Sequence, residues 1–226
     1  MADRKYPVRH PKFALGIRSQ ETRAAAGRSA WAKKWFAALE RMDMGGRFGR
    51  GRNYAMSGQV VGVEVKRKSE KGKSEEELVV ALVQGARAEK YEVTIDFRKI
   101  EGAARARVMK ALRSEPMLVA RMLAGEMPME VEEIFRKEGF DLYPGGKLVC
   151  GEDASRVARR TMEEASRVAR RTMGERVYDV VTSCSCPDYA NPCKHVFAAV
   201  VILGEEVARR PSLLVELRGI TMEELT

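Results

Sequence analysis

The sequence contains no long uninterrupted hydrophobic run among its 226 residues. A helix that spans a bilayer needs about 20 mostly apolar residues, and no segment approaches that length. The N-terminal region also lacks the apolar core of a secretory signal peptide, because charged side chains interrupt it throughout. These side chains belong to Arg4, Lys5, Arg9, Lys12, Arg18 and Arg23. We therefore expect a cytoplasmic protein that makes no membrane contact.

Motifs that mark common enzyme classes are missing as well. The sequence contains no P-loop, no nucleophile elbow and no pair of carboxylates spaced for acid–base catalysis. Its glycine-rich segment at residues 45–54 does not follow the GxGxxG pattern that leads from a strand into a helix. These absences favour a non-enzymatic protein with no small-molecule substrate.

Cysteine and histidine are scarce, with four and two copies respectively. Four cysteines are too few to act as a disulfide scaffold for a chain of this size. Three of them nevertheless lie within ten residues of one another, beside one of the two histidines. Such clustering indicates metal binding rather than disulfide bonding. Cys150 stands apart from the cluster, and we interpret it as a small buried hydrophobic residue.

The clustered residues follow the pattern CxCx6CxH, formed by Cys184, Cys186, Cys193 and His195. Two cysteines separated by one residue place both sulfurs on the same side of an extended strand. Asn191 is a favourable N-cap and Pro192 suits the first helical position, so we expect the other two ligands in the first turn of a helix. Three thiolates and one imidazole complete the tetrahedral shell of a structural Zn²⁺ and leave no position for a substrate water.

Two other chemistries of the same residues compete with this interpretation. The cysteines could form a reduced buried cluster or a redox-active pair. The histidine and the compact spacing disfavour an iron–sulfur cluster. We favour one structural zinc ion, because chance rarely assembles four soft ligands so tightly.

Positive charge is concentrated in the first quarter of the chain. Residues 1–58 contain 13 Lys and Arg against 4 Asp and Glu, whereas the other 168 residues carry 28 of each sign. The entire formal net charge of +9 therefore falls in this segment. Such asymmetry is typical of proteins that bind a polyanion, because Lys and Arg that neutralise phosphates release counterions. A solvated basic arm that only improves solubility is the competing interpretation.

The segment at residues 45–54 is rich in both glycine and arginine, and we interpret it as a loop. Its arginines could follow a phosphate backbone, with Phe48 and Tyr54 interleaved, while the glycines allow close approach of the main chain. An ordinary surface turn is the alternative. Two lysines of the preceding segment extend the same set of candidates. The candidate nucleic-acid contacts are Arg47, Arg50, Arg52, Lys33 and Lys34.

The spacing of apolar residues predicts an α+β fold. A helix over 29–42 places Trp31 and Trp35 on one stripe, where they anchor a core. Period-two alternation then predicts three strands that form an antiparallel meander. These strands are Gln59–Lys66, Leu78–Gln84 and Tyr91–Arg98. Helical spacing returns over 102–139 and supplies helices that cover the sheet.

An eleven-residue unit, Glu152 to Met162, is repeated almost unchanged as Glu163 to Met173. Eleven residues make three helical turns, so the duplication lengthens one helix and nearly preserves its face. Its arginines could contact DNA, but acids beside them leave the segment nearly neutral, and we favour a neutral duplication. Short strands are expected on either side of it, at 142–150 and 178–182.

The cysteine pattern lies within SCSCPDYANPCKHVFAAVVILGEE and resembles the SWIM zinc finger, whose ligands follow CxCxnCxH. Further blocks are similar to prokaryotic SWIM zinc finger proteins that are often encoded beside Swi/Snf-class helicase-like ATPases. These blocks are WAKKWFAALERM, GRFGRGRNYAMSGQV, VQGARAEKYEVTI, RMLAGEMP and RRPSLLVELRGITMEEL. Tyr189 stands where many relatives carry tryptophan, which leaves an aromatic packing role intact.

The resemblance implies a zinc-dependent module that binds DNA or proteins, with a Swi/Snf-class ATPase as partner. We expect a basic arm at 1–29, an α+β domain at 30–140 and a SWIM zinc finger domain at 141–226 that includes the duplication at 152–173. Our leading hypothesis is a DNA-binding accessory factor in repair, recombination or remodelling, nucleoid-associated if prokaryotic. The alternative is an adaptor for that ATPase or for a recombination factor, without DNA affinity of its own.

Overall fold

A computed structural model describes most of the chain. It covers residues 30–42, 46–68, 76–143, 149–150, 180–188 and 192–226. The predicted basic arm at 1–29 and the duplication at 152–173 lie outside these residues. The predicted α+β class is confirmed, with helices packed against one sheet. No helix in the described ranges is long and apolar enough to cross a membrane.

The helices and strands follow one another along the chain in three groups. The first group is α1 (Ala30–Met42), α2 (Arg47–Met56), β1 (Val60–Lys68), β2 (Glu76–Val83) and β3 (Tyr91–Phe97). The second is α3 (Gly102–Arg113), α4 (Pro116–Leu123) and α5 (Met129–Lys137). The third is β4 (Val149–Cys150), β5 (Val180–Cys184), α6 (Lys194–Arg209), α7 (Leu213–Glu216) and a 3₁₀ turn (Glu223–Leu225).

The strands form one sheet in the order β1-β2-β3-β5-β4. The predicted antiparallel meander of β1, β2 and β3 is confirmed. The sheet then continues, because β5 pairs antiparallel with β3 and β4 pairs parallel with β5. The strand that carries the first cysteine pair therefore belongs to the same sheet as the meander. The sheet contains strands from both sides of the boundary predicted between residues 140 and 141, and that boundary stays a prediction.

Helix α6 lies at the centre of the core. Every residue from 195 to 204 is buried. The strands β1, β2, β3 and β5 and the helices α1 and α2 all contact α6. A helix that is apolar all round is typical of such a central position. Trp35, a predicted anchor, is fully buried and donates its indole Nε1 hydrogen bond to the Val200 carbonyl at 3.3 Å.

The glycine-rich segment predicted as a loop is helix α2, so that prediction is wrong. Phe48, Gly51 and Ala55 are the buried residues of α2, and their spacing is helical. A Cβ added to Gly51 would lie 2.4 Å from Phe197 Cβ and 2.8 Å from the Lys194 carbonyl oxygen. Gly51 therefore serves close packing of two helix backbones, which outweighs the low helix propensity of glycine.

This contact predicts opposite effects for two glycines of α2. Gly51→Ala should lower the free energy of unfolding by about 1–3 kcal/mol, because the methyl group overpacks the interface with α6. Gly49→Ala should raise it by roughly 0.5–1 kcal/mol, because that exposed position has open space and alanine favours helix. Urea denaturation of both variants tests the pair. Equal effects of the two substitutions would contradict the packing role of Gly51.

Arg218 is a core arginine that donates hydrogen bonds to three backbone carbonyls. Its side chain is fully buried. The guanidinium donates to the backbone carbonyls of Arg98 at 3.2 Å, Leu142 at 3.3 Å and Tyr143 at 3.0 Å. These carbonyls follow β3 and α5, whereas Arg218 follows α7, so one side chain joins three parts of the chain.

Candidate metal centre

The four predicted ligands converge on one point between β5 and α6. Their ligand atoms all lie within 4.8 Å of one another. Cys184 and Cys186 are half-buried, whereas Cys193 and His195 are buried. Both halves of the CxCx6CxH pattern therefore contribute to a single cluster, as the sequence predicted.

The first cysteine pair is positioned by the edge of the strand pairing between β5 and β3. Cys184 ends β5 and lies opposite Val93, which is fully buried. Ser185, between the two cysteines, extends the pairing by one residue. Its backbone N–H donates to the Glu92 carbonyl at 3.0 Å, and its Oγ accepts from the Glu92 N–H at 3.0 Å. The spacer residue of the CxC motif thus holds both sulfurs at the strand end.

The second pair lies at the start of α6, and this helix begins two residues later than predicted. Cys193 is the N-cap, with an extended backbone of φ −82° and ψ 172°, and the helix begins at Lys194. The predicted cap, Asn191, lies outside the described residues. The Cys193 carbonyl accepts the first helical bond from the Phe197 N–H at 3.1 Å. His195 is therefore in the first turn, and Cys193 precedes it.

The imidazole of His195 points its Nδ1 at the sulfurs. Nδ1 lies 3.9 Å from Cys184 Sγ and 3.7 Å from Cys193 Sγ. A tetrahedral zinc ion with ordinary Zn–S and Zn–N bonds would place sulfur and nitrogen about 3.6 Å apart. The buried Nε2 has no hydrogen-bond partner in the described part of the chain. We therefore assign Nδ1 as the ligand atom and place the ring proton on Nε2.

Two tyrosines hold the imidazole ring in this orientation. The Tyr91 ring lies 4.7 Å from the His195 ring, and the Tyr54 ring meets it edge-on at 5.4 Å. Tyr91 begins β3 and Tyr54 belongs to α2. The metal cluster is thus in contact with both the sheet and the arginine-containing helix.

The three thiols are hydrogen-bonded to one another, which shifts their pKa values in different directions. A hydrogen bond from the Cys184 thiol, with further bonds from His195 and the Val196 backbone, lowers the pKa of Cys193 to about 4. The same bond to Cys193, together with burial, raises the pKa of Cys184. Burial is the main cause that raises the pKa of Cys186. Zinc must displace these protons, so its binding releases protons and weakens as the pH falls.

The donor set fits Zn²⁺ in number, type and spacing. Three soft thiolates and a neutral imidazole fill a tetrahedral shell and leave no coordination position for a substrate. The arrangement can therefore fix β5 against α6, and it has no means of activating a water molecule. The site binds one structural zinc ion.

The candidate nucleic-acid residues fall into two groups. On α2, Arg50 is exposed, whereas Arg47 and Arg52 are half-buried. On α1, Lys33 is exposed. Lys34 forms an ion pair with Glu132 and lies 5.6 Å from the centre of the Tyr143 ring, so its charge serves packing between α1 and α5.

Two cations, Lys194 and Arg87, lie near the zinc ligands. Lys194 Nζ lies 5.1 Å from the centre of the Tyr54 ring. Burial raises the pKa of Tyr91, while the nearby charges of Arg87 and Lys194 oppose that rise. In the sequence, only the position of Lys194 between two ligands indicates that its charge lies near the metal site. Arg87 is about a hundred residues away from the ligands along the chain, and no local pattern links it to the cluster.

Comparison with known proteins identifies the class of the metal centre. Residues 176–203 match the family model of the SWIM zinc finger. The chain therefore carries a SWIM zinc finger, and its ligands are the four clustered residues.

An uncharacterised protein of Mycobacterium tuberculosis is similar to nearly the whole chain. The two are 32% identical over 219 residues, which cover 97% of this chain and 65% of the mycobacterial protein. The chain thus spans about two thirds of the length of that relative. No solved structure matches the chain.

Proposed function

We propose that the protein is a non-enzymatic DNA-binding accessory factor in which the zinc-bound helix α6 holds α2 against the phosphate backbone. The carrying observation is the backbone contact of Gly51 with the first turns of α6. Through this contact, the metal site and the arginine-containing helix form one rigid unit.

The charge of α2 supports this role. The helix contains three arginines and no acidic residue. Arg50 is exposed, and neighbouring Gly49 leaves open space beside it. A phosphate backbone can therefore approach this face without meeting a bulky side chain. Contacts of this kind recognise DNA with little dependence on sequence.

Salt dependence of DNA binding tests the proposal. We expect the metal-loaded chain to bind duplex DNA at about 50 mM salt and to lose affinity by orders of magnitude at moderate salt. Arg50→Ala should weaken binding to all sequences and reduce the log–log salt slope by about 1. Fluorescence anisotropy across a salt series measures both quantities. Arg121→Ala, at an exposed arginine of α4, is the control and should leave the slope unchanged.

A second function is favoured by exposed apolar residues in the helices that follow the meander. Met117, Leu123 and Met129 on α4 and α5 are 75%, 54% and 49% exposed. Adaptable methionine surfaces are typical of partner binding. In this alternative the protein is an adaptor for a Swi/Snf-class ATPase or a recombination factor. Absence of DNA binding at about 50 mM salt, with recovery of such an ATPase by native co-purification, would establish the adaptor instead.

A further inference from the structure

We infer that Arg87 and Lys194 form a second phosphate-contact surface beside the zinc site, continuous with α2. The inference rests on the proposed DNA binding and assigns residues that the sequence pattern does not mark. A nucleic-acid backbone would lie where three elements meet. These elements are α2, the turn between β2 and β3, and the first turn of α6.

Lys194 is held in place by the metal site itself. It follows Cys193 and precedes His195, so both of its chain neighbours are zinc ligands. Its Nζ lies over the Tyr54 ring of α2 at 5.1 Å. A cation–π contact leaves the ammonium group able to donate hydrogen bonds on its solvent side. The charge is therefore presented next to the arginines of α2.

Arg87 is brought to the same place by the turn between β2 and β3. A Cβ on Gly85 would lie 2.1 Å from Tyr91 Cε2 and 3.1 Å from His195 Nε2, so the turn passes directly over the imidazole. Buried Gln84 fixes the turn, because its Nε2 donates to the carbonyls of Gly85 and Arg87. The Arg87 side chain itself is exposed.

The charge balance of this junction favours a polyanion. Helix α2, residues 84–90 and the start of α6 contain six basic residues and one acidic residue, Glu89. The basic residues are Arg47, Arg50, Arg52, Arg87, Lys90 and Lys194. A zinc ion with three thiolates carries about one net negative charge, so the formal charges of this junction, six positive and two negative, sum to about +4. Cations from three separate elements suit the repeated phosphates of a nucleic acid better than one carboxylate.

The experiment compares salt slopes of single-charge variants of the zinc-loaded chain. A short labelled duplex is titrated with Arg87→Gln and with Lys194→Gln over about 50–200 mM salt. Each variant should reduce the log–log slope by about 0.9, because each removes one phosphate contact. Lys194→Arg should restore the slope. Lys110→Gln, at an exposed lysine of α3, makes the same charge change and should leave the slope at the parental value.

Elemental analysis accompanies each titration, so that loss of zinc is not mistaken for loss of a contact. If Lys194→Gln loses zinc, the result for Arg87→Gln decides the inference, because Arg87 is not a sequence neighbour of a ligand. Parental slopes for both variants, or an equal decrease for Lys110→Gln, would overturn the inference and leave the proposed function in place. Failure of the parent chain to bind DNA would overturn both this inference and the proposed function. Binding of an acidic peptide instead would assign this junction to the adaptor function.

Discussion

Cys193→Ala is expected to remove stoichiometric zinc and to destabilise the whole described fold, including the meander and α2. Cys193 caps α6, which packs against β1, β2, β3, β5, α1 and α2. Loss of the ion frees the start of this central helix. Its effect therefore spreads through every element that α6 supports.

The size of this effect follows from mass action. A ligand present at about 1,000 times its dissociation constant stabilises the folded state by about 4 kcal/mol. For a domain of this length, that corresponds to a melting temperature lower by roughly 10 °C. Differential scanning calorimetry of the variant, and of the parent treated with a chelator, measures the shift. Both should give the same result, since both remove the same ion.

A cysteine outside the cluster provides the matched control. Cys150→Ala should retain one zinc ion per chain, because Cys150 lies outside the CxCx6CxH pattern. A Cys193→Ala variant as thermally stable as the parent would contradict a structural role for the ion. Loss of zinc from Cys150→Ala would contradict the ligand assignment.

Arg218→Met is expected to lower the free energy of unfolding by about 3–5 kcal/mol. The substitution retains much of the side-chain volume but removes the donors to three carbonyls, two of them in buried hydrogen bonds, and each buried group left unsatisfied costs about 1–3 kcal/mol. Urea denaturation followed by tryptophan fluorescence measures the change. Arg218→Lys should fall between parent and methionine variant, because an ammonium group lacks the planar fork that reaches three acceptors.

An exposed arginine of α6 separates this effect from the loss of a positive charge. Arg209 pairs with Glu206 at 3.3 Å on the surface. Arg209→Met should therefore change stability by less than about 1 kcal/mol. Equal destabilisation by Arg218→Met and Arg209→Met would show that the three carbonyl bonds contribute nothing specific.

The sequence predicted the zinc site well because its determinants are local. The CxC pair needs only the alternation of a strand, and the second pair needs only a helix start. The one local error, a helix start at Pro192 instead of Lys194, reflects a cap formed by Cys193 itself. The meander was predicted for the same reason, because the alternation of Tyr91, Val93 and Ile95 is visible in sequence and matches their burial.

What the sequence could not reveal depends on contacts between distant segments. Glycines usually mark loops, but Gly51 faces the backbone of α6, whose packing partner cannot be read from residues 45–54. The pairing of β5 with β3 is likewise a long-range feature, because it joins strands from both sides of residue 140. No local pattern distinguishes Arg218 from a surface arginine, because its three carbonyl acceptors belong to distant segments of the chain.

The enclosure of α6 on all sides constrains how this protein can change over evolutionary time. Here a substitution at Val200 or Leu203 must be accommodated by β-strands and N-terminal helices simultaneously. We therefore expect this finger to depend on the rest of the chain for its folding. A polypeptide limited to residues 176–203 should aggregate when expressed alone.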